Sequence, residues 1–133
     1  MHQGSCLCGT VQYEIRGNFG AAYFCHCRRC RKAGGSSFAA NVIVQSADFA
    51  ITAGETSLKC FDGGQGVKRY FCVACGSPIL SRRPTQADIV RVRMGTLDTA
   101  VAAPPQAHQF VDSKAEWVEI RDALPQHAER PPV

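Results

Sequence analysis

The chain has 133 residues, of which 45% are apolar and 20% charged, with a formal net charge of +4. That length fits one domain with a modest core. No apolar run reaches the roughly 18 residues of a membrane-spanning helix, so no such span is expected. The opening Met1-His2-Gln3-Gly4-Ser5 carries neither the charged nor the apolar region of a secretion signal, which points to the cytoplasm.

In chain order, Cys6-Leu7-Cys8-Gly9 comes first, a thiol pair whose Gly9 gives the backbone room to turn. Residues 10–16 alternate, with Val11, Tyr13 and Ile15 on one face, the pattern of a half-buried strand. Gly17-Asn18 reads as a turn. Residues 21–24 form a short apolar strand leading into Cys25-His26-Cys27-Arg28-Arg29-Cys30, where three thiols and several cations crowd one tight turn. A helical turn opens over 30–32 and ends at Gly34-Gly35. Strands are expected over 37–44, 49–52 and 57–61. Asp62-Gly63-Gly64-Gln65-Gly66 is the strongest turn signal and joins the last of these to 67–72 as a hairpin. Cys72-Val73-Ala74-Cys75-Gly76 is a knuckle of two thiols and a glycine, followed by strands at 77–82 and 89–94. Ala103-Pro104-Pro105 is a rigid connector. Residues 109–111 and 116–120 read as short strands, with Trp117 expected in the core. Short strands at close spacing, many turns and no long amphipathic helix predict a mainly β fold of short antiparallel strands. The whole of 1–133 reads as a single domain, with its core at about 4–125 and a polar, proline-rich tail at 126–133 that is frayed or laid on the surface.

Eight cysteines without a secretion signal favour reduced thiols and metal over a disulfide framework. A Cys25–Cys27 disulfide would close a small, strained ring, whereas zinc asks only for thiolates at about 2.3 Å in a tetrahedron. The thiols fall into three clusters. Cys6, Cys8, Cys72 and Cys75 make one closed four-thiolate site, whose expected role is structural. Cys25, Cys27 and Cys30 make a second site with three protein ligands. Its fourth position goes either to Cys60 or a histidine, as in a structural site, or to water and substrate, as in catalytic zinc. Cys60, inside a strand, is first of all a small buried hydrophobe. His26 is expected at the rim and His108 at the surface. Arg28, Arg29, Arg31 and Lys32 would favour thiolate over thiol and attract an anion. Seven thiolates and two Zn²⁺ ions would lower the net charge to about +1, and no further cationic stripe marks a nucleic-acid footprint.

Three stretches together resemble a known family: Gly4-Ser5-Cys6-Leu7-Cys8-Gly9, Cys25-His26-Cys27-Arg28-Arg29-Cys30-Arg31-Lys32 and Arg69-Tyr70-Phe71-Cys72-Val73-Ala74-Cys75-Gly76-Ser77-Pro78. The residues His108-Gln109-Phe110-Val111-Asp112-Ser113-Lys114-Ala115-Glu116-Trp117 and Leu124-Pro125 extend the likeness, which runs from about Gly4 to Pro125. The family is that of the glutathione-dependent formaldehyde-activating enzymes, which also includes centromere-protein-V-like proteins. The resemblance implies a zinc-stapled β-tent with a structural zinc on Cys6, Cys8, Cys72 and Cys75. It further implies a zinc of catalytic character on Cys25, Cys27 and Cys30, and so two Zn²⁺ per chain. The implied activity is that of a carbon–sulfur lyase joining an aldehyde such as formaldehyde to a thiol such as glutathione, giving S-hydroxymethylglutathione. The chain is shorter than the founding type.

The expected function is therefore a zinc-dependent addition or removal of an aldehyde on a thiol. An open position on a three-cysteine zinc would ionise the substrate thiol, and Arg28, Arg29 or Lys32 would hold a carboxylate. The expected partners are a small-molecule thiol and aldehyde, without nucleic acid or membrane and with room for a homodimer. The alternatives are a zinc-stapled binding module without turnover for a protein or chromatin partner, and a redox or metal-transfer role for the central thiols.

Overall fold

The computed structural model describes residues 1–102 and 104–129. The alternating segment becomes a strand whose inward side is sealed: Val11 and Ile15 are 0% exposed and Tyr13 is 1% exposed. Burial of each such side chain contributes about 1.5–3 kcal/mol, which is what holds so short a strand in place. This strand, β2 (Gln12–Ile15), lies between β1 (His2–Ser5) and β5 (Phe49–Ala53) in a three-stranded antiparallel sheet. β1 carries no apolar alternation and was not legible in the sequence. It is held by close approach instead, since a side chain at Gly4 would run into the Tyr13 ring and the Thr96 carbonyl.

The second sheet has seven strands. They are β3 (Ala22–Cys25), β4 (Ala39–Gln45), β6 (Leu58–Asp62), β7 (Lys68–Cys72), β8 (Pro78–Arg82), β9 (Ile89–Arg93) and β10 (His108–Gln109). Their order is β10-β3-β4-β9-β8-β7-β6, antiparallel throughout except for β10 against β3. The glycine-rich turn closes the β6–β7 hairpin as expected, with Asp62 accepting a hydrogen bond from Gly64 N at 2.9 Å.

Strand periodicity gives this sheet two different faces. Ala22, Val42, Val44, Leu80, Val90 and Val92 pack with Val11, Tyr13 and Ile15 in the main core. The opposite face carries Tyr23, Cys25 and Ala39, which form a second cluster with Cys30 of the helix α1 (Arg28–Gly34). Further across that second face, the strand register places Arg93, Ser81, Arg69 and Phe61. α1 ends at Gly35 in the left-handed conformation, as the glycine pair predicts.

The C-terminal part departs from expectation. Among the described residues the one named strand there is His108–Gln109; residues 111–113 form a 3-10 turn, and 116–120 form no strand. Trp117 is not core but 73% exposed; its indole N–H donates to Ser37 Oγ at 2.9 Å, and Arg31 lies over its ring at 5.7 Å. Residues 126–129 are laid along β10, with His127 N donating to His108 O at 2.9 Å and Gln126 bridging His108. Of the rigid connector, Ala103 lies outside the described residues, as do tail residues 130–133. Among the described residues no helix is long and apolar enough to cross a membrane.

Candidate metal centres and their surroundings

Two thiol groups come together in space. The ligand atoms of Cys6, Cys8, Cys72 and Cys75 all lie within 4.8 Å of one another. Cys6 and Cys8 Sγ are 3.6 Å apart, and Cys8 and Cys72 Sγ 3.9 Å. A tetrahedron of thiolates at about 2.3 Å from a zinc ion has edges of about 3.8 Å, so this sulfur set fits zinc closely. Two knuckles build it. One precedes β2 and the other joins β7 to β8, and each turns through a glycine, Gly9 and Gly76, both at φ 79°. A side chain at either would be strained in that left-handed conformation. Backbone and hydroxyl groups cradle the sulfurs. Val11 N donates to Cys6 Sγ at 3.2 Å; Thr10 Oγ1 is 3.1 Å from Cys8 Sγ and Ser77 Oγ is 3.3 Å from Cys75 Sγ. Hydrogen bonding to Ser77 holds Cys75 well below the usual thiol range, at about 5, while burial pushes Cys72 up to about 11.

The second group is Cys25, Cys27 and Cys30, again with all sulfurs within 4.8 Å of one another. Cys25 closes β3, Cys27 caps α1 by accepting from Cys30 N at 3.3 Å, and Cys30 is the one buried residue of the helix. The thiols of Cys25 and Cys30 hydrogen-bond toward Cys27 and hold it near a pKa of about 2, while Cys25 is pushed up, first by its bond to Cys27. Ionising one of these crowded sulfurs opposes ionising the next, and complete ionisation calls for a cation. Among the described residues, no further cysteine, histidine or carboxylate joins this group. Cys60, weighed as a fourth ligand or as a buried hydrophobe, is neither; it is exposed on the edge strand β6.

The histidines overturn the sequence reading. His26, expected at the rim, is 0% exposed, and His108, expected at the surface, is 4% exposed. β10 pairs beside β3 as far as His26, whose N–H donates to Gln109 O at 3.0 Å, and this register brings the two rings together. His26 Nε2 lies 2.8 Å from His108 Nδ1, and His108 Nε2 lies 3.0 Å from Asp122. The carboxylate accepts the His108 Nε2 proton, so His108 Nδ1 accepts from His26 Nε2–H. His26 Nδ1 is left an acceptor, buried without a hydrogen-bond partner among the described residues. Burial, and then the neighbouring His108, lowers the His26 pKa below 6.5. Phe110, which follows Gln109 of β10, takes a left-handed backbone at φ 57° and packs against the cluster of Tyr23, Cys25, Cys30 and Ala39. No local pattern in the sequence signals this His–His–Asp chain, because it joins residues 82 positions apart.

The cations are also arranged differently from expectation. Arg28, Arg29 and Lys32 point to solvent, and Arg31 donates to Ser113 O at 3.1 Å. The guanidinium groups within electrostatic reach of the thiols are Arg93, which feels Cys30 and Cys25, and Arg69, which feels Cys27. Both line a cavity of about 180 Å³ on the second face of the large sheet, together with Ala33 of α1, Phe61, Phe71 and Ser81.

Comparison with known proteins agrees with this geometry. The family model described as "Glutathione-dependent formaldehyde-activating enzyme" matches residues 1–113. The fold is similar to the crystal structure of a Rhodobacter sphaeroides protein from a structural-genomics programme, at 25% identity and a TM-score of 0.62, over 75% of this chain and 91% of that one. With the family model covering both thiol groups and all of the sheet strands, the chain belongs to the glutathione-dependent formaldehyde-activating enzyme family.

Proposed function

We propose that the protein is a zinc-dependent carbon–sulfur lyase that joins an aldehyde to a small-molecule thiol, or reverses that addition, at Cys25, Cys27 and Cys30. The observation that carries this reading is the three-sulfur group to which no fourth protein ligand is added among the described residues, together with a cavity able to admit a small molecule whose Arg69 and Arg93 lie within electrostatic reach of those sulfurs. Family membership supports the substrate class, a thiol such as glutathione and an aldehyde such as formaldehyde. In the same reading Cys6, Cys8, Cys72 and Cys75 hold a structural zinc.

Cys25, Cys27 and Cys30 would hold the zinc ion, which would supply the Lewis acidity that lowers the pKa of a substrate thiol. The chain's own residues do the rest. Cys25, Cys27 and Cys30 present three anionic donors from one rigid turn, fixed by β3, by the α1 cap and by Phe110. The His26–His108–Asp122 chain locks that turn against β10. In the addition, the substrate sulfur forms the new bond to the aldehyde carbon, the carbonyl π-bond opens onto oxygen, and the thiol's proton ends on that oxygen. The reverse step returns the same proton to sulfur.

Cobalt-substituted protein tests this reading. An added thiol should shift the thiolate-to-metal absorption of the three-cysteine site, and Cys27→Ser should abolish both that shift and the formation of S-hydroxymethylglutathione. Full turnover by a Cys27→Ser protein that has kept both metal ions would refute it, and an unshifted spectrum would favour a closed, non-catalytic site.

A further inference from the structure

Arg69 and Arg93 stand out once the rest of the molecule is accounted for. Both project from the second face of the large sheet, Arg69 from β7 opposite Ser81 of β8, and Arg93 from β9 two residues beyond Arg91, which is the partner of Ser81; both line the same cavity. Arg93 is packed against α1; a side-chain carbon placed on Gly34 would lie 3.6 Å from its Nη1. Among the described residues neither arginine forms an ion pair with a carboxylate, although Arg16 and Arg121, out on the surface, both do. No aspartate or glutamate lines the cavity they share. Two guanidinium groups in a partly enclosed space repel each other; the three-cysteine sulfurs offset part of that charge, and with no carboxylate among the described lining residues the two forks favour a further anion.

The cavity has a second character. Phe71, Pro78 and Leu80 contribute apolar lining, and Phe61, a large aromatic, lines it while remaining 61% exposed. A concave apolar surface with a few convergent charged groups is the usual form of a small-molecule site. At about 180 Å³ it is only slightly larger than the roughly 150 Å³ cavity that takes one benzene. It therefore fits one end of a peptide-sized molecule, not the whole.

We propose that this cavity is the anion subsite of the thiol substrate: it takes a carboxylate-bearing end, with Arg69 and Arg93 forking the carboxylate and Phe61 and Phe71 flanking the adjoining methylene chain. The proposal rests on the reading of the three-cysteine group as the place where the thiol reacts, and it makes Arg69 and Arg93 the residues that select for acidic thiols. Arg is suited to this because its planar fork meets a carboxylate with two parallel hydrogen bonds. The solvent-facing Arg28, Arg29 and Lys32 have no part in it.

The test uses zinc-loaded protein and a probe that has the carboxylate but no free thiol. Binding of 3-(methylthio)propionate is compared with that of its neutral amide by calorimetry, for the parent protein and for Arg69→Gln, Arg93→Gln and Arg93→Lys. Arg16→Gln serves as the surface charge control, and metal content and circular dichroism check each fold. The acid should bind at least about tenfold more tightly than the amide, as expected when a charged hydrogen-bonded pair is lost. Each glutamine variant should erase that preference, Arg93→Lys should recover part of it, and Arg16→Gln should retain it. Equal binding of acid and amide, no binding of either at millimolar concentration, or a preference that survives in folded Arg69→Gln and Arg93→Gln would overturn the proposal. Failure of 3-mercaptopropionate to shift the cobalt spectrum, with arginine-dependent binding of the thioether acid intact, would remove the lyase reading and leave the anion site standing.

Discussion

The four-sulfur and three-sulfur groups offer the same kind of ligand but are built from the chain in different ways. The first gathers its sulfurs from two knuckles, so that Cys8 and Cys72 meet across 64 positions of chain. The second takes all three from one stretch of six residues, Cys25 to Cys30. A group spanning the chain can act as a staple, because closing it fixes the β1–β2 region against the β7–β8 knuckle. A local group adds little to the fold. Its three sulfurs are instead ordered by what packs around them, namely β3, α1, β10 and the two histidines. Ligand number follows the same division: four sulfurs complete a tetrahedron, and three do not.

The sharpest way to break this comparison is to remove one sulfur from each group. Cys72→Ser should lower the melting temperature by about 15 °C or more, or abolish the cooperative transition, because binding energy at such a site is folding energy. Thermal melts followed by circular dichroism, with metal content measured alongside, check it. A mild loss there would mean the long-range group is no staple. Cys27→Ser should melt within about 5 °C of the parent while losing at least about a hundredfold in turnover. An equal fall in melting temperature for the two variants would erase the distinction.

The next effects concern the histidine support that only the three-sulfur group has. His108→Ala leaves His26 Nε2 and Asp122 without their partner and opens a gap beside Phe24, with which the His108 ring stacks at 5.0 Å. A loss of about 2–3 kcal/mol in urea unfolding is expected, with metal retained in the four-sulfur group and weakened in the other. Acid should act on the same place. Burial keeps the folded His26 pKa below the 6.5 of a free imidazole. Below pH 6.5 the unfolded chain therefore takes up a proton that the folded one does not. The contribution is complete above that pH and is lost as the pH falls toward the folded value. Urea midpoints should decline between pH 7.5 and 5.5 with both metals still bound, and a level profile would contradict the buried neutral ring. Trp117→Ala should have the smallest effect, under about 1 kcal/mol, since it removes only an exposed ring, one hydrogen bond and one cation–π contact.

Much of the fold was legible. The alternation of Val11, Tyr13 and Ile15 set β2 and its buried face, Asp62-Gly63-Gly64-Gln65-Gly66 set the β6–β7 hairpin, and Gly34-Gly35 set the end of α1. β1 escaped because contact with Tyr13 holds it, not periodicity. The misjudged residues share one cause. Cys60, Trp117, His26 and His108 were each placed by average residue behaviour, which neighbours in space can override. Cys60 is exposed because its strand lies at the sheet edge. Trp117 is exposed because its indole N–H and ring face find Ser37 and Arg31 at the surface.

The sequence alone determined the two thiol pairs and the thiol triplet, and that the framework would be β, because turn chemistry, strand period and ligand spacing within each motif are properties of adjacent residues; that Cys60 stands outside the triplet was settled by the fold. Only the tertiary structure decided what surrounds the three-sulfur group. The parallel pairing of β10 with β3 buries His26 against His108 and Asp122, and the order of strands β9, β8 and β7 sets Arg93 and Arg69 over one cavity. Those neighbours come from opposite ends of the chain, and sheet register, which no local signal encodes, is what brings them to one place.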